Sequence, residues 1–106
     1  MTTKKNKTLD ALDATKEIWQ KMTFGSLVRS LRISDQISQA ALAKKLGVSA
    51  QFLSDVEHDK KDIGINFAKK VAKTMNYSVE PLIELLFKEQ LQRNKLNYIV
   101  ELKKVS

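Results

Sequence analysis

Two short amphipathic stretches separated by one glycine leave this chain few ways to fold. Gln39 to Leu46 places Leu42, Ala43 and Leu46 on one side of a helix, and Ser38 stands before it as a capping residue. Gly47 stops that helix, because glycine enters the left-handed conformation at little cost. Two residues further on, Ser49 can cap another helix, with Leu53 and Val56 turned inward and a polar face opposite. So tight a turn forces the two helices to cross steeply.

The flanking sequence supplies surfaces for this pair to pack on. Thr23 can cap a helix in which Phe24, Leu27, Val28 and Leu31 recur at one-face spacing, while Arg29 and Arg32 point elsewhere. A helix over Ile65 to Met75 carries Ile65, Ala68, Val71, Ala72 and Met75 on one side and Lys69, Lys70 and Lys73 towards solvent. Ser78 can cap a further helix that tolerates Pro81 in its first turn and bears Leu82, Leu85, Leu86 and Leu91 as its stripe. Met1 to Lys7 reads as a polar, basic tail. From Thr8, with Asp10 and Asp13 in the first turn and Ala11, Leu12, Ile18, Trp19 and Met22 following, an accessory helix is expected.

After Asn94 the period changes. Leu96, Tyr98, Val100 and Leu102 alternate with Asn97, Ile99, Glu101 and Lys103, the pattern of a β-strand. A lone strand has unpaired backbone groups, so its simplest partner is its own copy in a second subunit. A homodimer is therefore expected, joined through Leu96, Tyr98, Val100 and Leu102.

Charge narrows the partners. Nineteen Lys and Arg oppose twelve Asp and Glu, a net charge of +7, and the sequence pI is near 9.7. That balance suits nucleic acid, an acidic protein or an anionic membrane surface, so placement of the charges decides. The chain has no cysteine, which excludes disulfides, thiol nucleophiles and thiolate metal sites. No apolar run follows the basic tail, so neither a signal peptide nor a membrane span is read, and the expected location is the cytoplasm.

The stretch QAALAKKLGVSAQFLSDVE, from Gln39 to Glu57, resembles the helix-turn-helix of the phage-repressor family, also called Xre or Cro/cI-like. The resemblance extends from Phe24 to about Ser78. It implies a mainly α fold with a five-helix phage-repressor-like domain, to which the periodicity adds an N-terminal accessory helix and a C-terminal β-strand used in dimerisation. Residues 1–22 would form the tail and accessory helix, 23–78 the DNA-binding domain and 79–106 the dimerisation segment. In such a domain Ala43 is small because the following helix crosses there, Val48 plugs the gap between the helices, and Arg32 pairs with Glu57 as a structural brace.

The same resemblance assigns the contacts to double-stranded DNA. Gln39, at a helix N-terminus, would bond a phosphate through its side chain and backbone amide. Ser49, Ala50, Gln51, Ser54 and Asp55 would face the major groove. Gln51 is the strongest base reader, since its amide both donates and accepts, matching the N6 and N7 edge of adenine. Ala50 offers apolar contact only. Asp55 either accepts from a cytosine amino group or orients a neighbouring side chain. Lys60 and Lys61 suit phosphates as well as they suit solvent.

Three positions depart from the family pattern. Asp59 stands where glycine with a positive backbone angle is usual, Ile63 where proline is frequent, and Gln36 where glycine often ends the preceding helix. Catalysis is not expected: the one histidine, His58, sits near a helix end, and the three glycines form no phosphate cradle. No cofactor or metal is called for. The expected function is that of a dimeric transcriptional repressor. The rival is an antitoxin that binds a toxin protein through Thr8 to Met22 and Val79 to Ser106 and represses its own operon.

Overall fold

A computed structural model describes residues 17–105. Residues 17–21 are helical, and five complete helices follow: α1 (Phe24–Ser34), α2 (Gln39–Leu46), α3 (Ala50–Glu57), α4 (Ile65–Met75) and α5 (Val79–Arg93). The expected start of the accessory helix, from Thr8 to Asp13, lies outside the described residues.

Local chemistry sets the helix starts. Thr23 and Ser26 form a reciprocal capping box at α1, and the hydroxyls of Ser38 and Ser49 accept the N–H groups of Ala41 and Phe52. Ser78 holds the capping position of α5, but its side chain makes no capping bond, contrary to the sequence reading. The helix ends share another device. Gly47 ends α2 with φ 71°, and the non-glycine residues Gln36, Asp59, Asn76 and Lys95 take positive φ after α1, α3, α4 and α5. The departures at Gln36 and Asp59 thus keep the left-handed geometry and change only the residue.

The core is one cluster drawn from all five helices. Val28, Leu42, Leu46, Leu53, Ala68, Val71, Leu82 and Leu85 are fully buried, and Ala43 sits buried where α2 meets α3. Val48 packs against this cluster from the turn, and Phe67 stands edge-on to Phe52 with ring centroids 5.7 Å apart. Ile65 and Ile18, both placed on inward stripes by periodicity, are exposed instead. Ile65 is the first residue of α4, where one side chain can turn away without opening the core.

Lys88 fixes the N-terminal segment to α5. It is 6% exposed, and its ammonium donates to the carbonyls of Trp19 (2.6 Å), Gln20 (3.0 Å) and Met22 (2.6 Å). Those carbonyls lie at and just beyond the end of the helical turn 17–21, where peptide C=O groups present negative charge; that of Trp19 also accepts the Met22 N–H at 3.2 Å. Burial pushes the Lys88 ammonium below the usual lysine range, with Glu89 acting weakly the other way. Trp19 packs beside it, 5.8 Å from ring centroid to nitrogen.

The expected C-terminal strand is not formed: among the described residues there is no β-strand. Lys95 turns the chain, and residues 96–105 run without ladder hydrogen bonds. Val100 and Leu102 are half-buried, and the Leu102 N–H donates to the Glu84 carboxylate on α5 at 2.9 Å. Leu96 and Tyr98, expected on the same side, are exposed; a strand also needs a second backbone, and here the neighbour is a helix.

Replacing Lys88 with Met should lower stability by about 1–3 kcal/mol, the range for lost hydrogen bonds to a charged group. Urea unfolding measures the loss, and amide exchange should quicken in residues 17–22 before it quickens in α2 or α3.

Candidate nucleic-acid interface

The polar row on α3 depends on what holds the helix from behind. Leu53 and Val56 anchor it in the core, and Glu57 at its last turn is buried with its carboxylate fully enclosed. Arg32 on α1 meets that carboxylate with two bonds, Nε to Oε2 at 2.7 Å and Nη2 to Oε1 at 3.0 Å. Its remaining nitrogen, Nη1, donates to the Ile37 carbonyl (3.0 Å) in the loop before α2. One guanidinium therefore joins α1, α3 and the entry to α2 in the forked geometry that arginine favours. Hydrogen bonding to Glu57 raises the Arg32 pKa above its ordinary value, against the opposing effect of burial.

Gln39 belongs to this brace as well. Its Nε2 donates to Glu57 Oε1 at 3.1 Å, so the side chain expected on a phosphate is turned inward. Its backbone N–H, in the first turn of α2, has no carbonyl one turn earlier to bond within the helix.

At the front of α3, Ser49, Ala50 and Gln51 are exposed, and Ser54 and Asp55 are half-buried. Gln51 Nε2 donates to Asp55 Oδ1 at 2.9 Å across one helical turn. His58 Nδ1 lies 2.7 Å from the Ser54 carbonyl, which accounts for the histidine as part of the helix end. In the following loop Lys60 and Lys61 are exposed and, among the described residues, form no ion pair. Lys61 Nζ stands 5.7 Å from the Phe52 ring centroid, so its stem follows α3 while its charge stays in water.

Sequence reasoning missed the way this loop is tied to the rest. A Cβ on Gly25 would lie 2.1 Å from the Val56 carbonyl oxygen and 2.6 Å from Asp59 Oδ1, so only glycine lets α1 approach the end of α3 this closely. The Thr23 hydroxyl donates to Asp59 Oδ2 (3.0 Å), and the Phe24 N–H donates to Glu89 Oε2 on α5 (3.0 Å). Two carboxylates thus face the start of α1, where the helix dipole favours anions. Burial raises the Glu89 pKa, the Phe24 bond opposes this, and the neighbouring Asp59 charge adds to the rise. The one local signal was a glycine in the first turn of a helix.

A family model for helix-turn-helix proteins matches residues 28–82, just over half of the chain. The protein belongs to this family, the Xre or Cro/cI-like helix-turn-helix proteins, whose members are DNA-binding regulators. Comparisons with curated proteins and with solved structures returned no match. No helix among the described residues is long and apolar enough to cross a membrane, and no group of them could hold a metal ion.

Arg32→Ala leaves the Glu57 carboxylate buried without its partner, and calorimetry should show a loss of about 3–5 kcal/mol. Joint replacement by Arg32→Met and Glu57→Leu should restore part of it.

Glu89 predicts an opposite, pH-dependent effect. A carboxyl with a raised folded pKa weakens the fold as pH rises from its unfolded pKa through its folded one. Glu89→Gln should therefore increase stability at neutral pH in urea unfolding. The gain should vanish below the ordinary glutamate range, where both side chains are neutral.

Proposed function

We infer that the protein is a sequence-specific transcriptional regulator, a cytoplasmic dimeric repressor that reads a palindromic operator through α3. The observation that carries this reading is the exposed row Ser49, Ala50 and Gln51 at the N-terminal end of a helix whose opposite face is locked by Leu53, Val56 and Glu57. A reading helix must be rigid, since base discrimination depends on sub-ångström placement of donors and acceptors.

In the major groove, Gln51 reads an adenine edge, Ala50 meets a thymine methyl, and Ser49, Ser54 and Asp55 line the remaining contact. Gln39 offers a phosphate its backbone N–H, and Lys60 and Lys61 flank the groove as phosphate contacts. One α3 covers only a few base pairs, so useful specificity calls for two copies. The exposed Leu96 and Tyr98, beside Val100 and Leu102, form the dimer contact in this reading. Bound across a promoter, such a dimer represses by occlusion alone.

A second reading keeps the DNA-binding role and adds a toxin partner. Its support is the apolar surface outside the family core, with Ile18, Tyr98, Ile99 and Val105 all more than half exposed. The antitoxin would offer this surface to the toxin while repressing its own operon.

Selection of bound sites from random DNA tests the main reading. The selected sites should have twofold symmetry, and affinity should fall steeply with added salt as counterions are released. Gln51→Ala should lose about 1–3 kcal/mol at one symmetric pair of positions without unfolding the protein. Sites without symmetry would overturn the dimer, and uniform losses on every sequence would move Gln51 to the backbone.

A further inference from the structure

The bond between Gln51 and Asp55 bears on specificity in a way the exposed row alone does not. A glutamine amide has nearly the same shape in both orientations about its last torsion, with oxygen and nitrogen exchanged. An unrestrained Gln51 therefore offers a base edge either sense of the donor–acceptor pair. Asp55 removes that freedom. An ionised carboxylate only accepts, so it takes the NH₂ end of the amide and never the oxygen. Nε2 is held 2.9 Å from Asp55 Oδ1, one turn along α3.

What Gln51 has left to offer is consequently defined. The second Nε2 hydrogen and the Oε1 lone pairs remain, one donor and one acceptor in a single plane. That pair matches the acceptor N7 and donor N6 of adenine in one sense only. Asp55 is half-buried and Gln51 exposed, so the carboxylate sits at the base of the reading side chain. No ion pair among the described residues engages Asp55. Its charge also disfavours base edges rich in acceptors, such as guanine O6 and N7, by repulsion.

We propose that Asp55 is a specificity-determining positioning residue, which fixes the polarity of the Gln51 amide and so restricts the base that Gln51 accepts. The inference rests on the assignment of Gln51 as a base reader. It requires no direct contact between Asp55 and DNA, and it gives a purpose to an acid on a surface that meets phosphates.

Site selection and competition binding with the full chain test it, using wild type, Asp55→Ala, Asp55→Asn, Asp55→Glu and Gln51→Ala. Loss of the lock restores a twofold choice of amide orientation and releases a side-chain bond worth about a further factor of two at most. Discrimination at the position read by Gln51 should therefore fall about two- to fourfold per half-site in Asp55→Ala. Asp55→Asn should fall likewise, since its own amide can donate or accept. Asp55→Glu, still an acceptor, should retain more of the wild-type preference. Affinity for unrelated DNA should rise in the two neutral variants, whatever the base.

A rise that is equal on all sequences, with every base preference unchanged, would reduce Asp55 to a charge effect and overturn the proposal. An altered preference that moves away from the position lost in Gln51→Ala would also overturn it. If Gln51→Ala itself changes no base preference, or wild type selects no sequence, the base-reading assignment fails first and takes the lock with it. Folding is checked by the thermal transition, which these surface changes should leave in place.

Discussion

The enclosed carboxylate of Glu57 is the constraint on which the rest of the molecule depends. A buried charge is tolerated only when its lone pairs are met, and Arg32 and Gln39 supply three bonds to it from two other helices. Because Arg32 also reaches the Ile37 carbonyl, the charge pair sets where α2 begins as well as where α3 ends. Apolar packing by Leu42, Leu46, Leu53 and Val56 would hold the two helices together over a range of angles. The fork of one arginine on one carboxylate selects among those angles.

A second tie keeps α5 in register with the reading domain. Gly25 lets the start of α1 lie against the last turn of α3, and the carboxylates of Asp59 and Glu89 meet the donors there. The loop that carries Lys60 and Lys61 is in this way joined to α5, a helix with no part in the polar row itself. Partial burial makes the Glu89 contribution smaller than its hydrogen bond suggests, since the charged form is disfavoured where it sits. The arrangement orients more than it stabilises.

Much of this was legible from residues that act over short distances. Thr23, Ser38 and Ser49 mark their helix starts because capping involves residues only three positions apart, and Gly47 marks its turn for the same reason. The Arg32 and Glu57 pair was legible only through resemblance, as nothing local joins positions on different helices. Lys88 gave no signal at all, because its partners are some seventy positions away. The C-terminal segment failed for a different reason. Its alternation holds only at Val100 and Leu102, with Leu96 and Tyr98 exposed, and a hydrogen bond to Glu84 on a helix stands where a ladder was expected.

The five left-handed helix ends have a consequence beyond shape. Only Gly47 is glycine; Gln36, Asp59, Asn76 and Lys95 hold the same conformation at about 1–2 kcal/mol of backbone strain, least for Asn and Asp. A glycine at these sites would relieve the strain but enlarge the ensemble of the unfolded chain, so the two effects oppose each other, and at position 59 it would also remove the carboxylate that accepts the Thr23 hydroxyl. Geometry at these stops is thus shared while identity differs, and at Asp59 the side chain adds a bond of its own. A helix end can therefore keep its angle without a glycine, and at Gln36 and Asp59 this chain departs from its family's punctuation without departing from its fold.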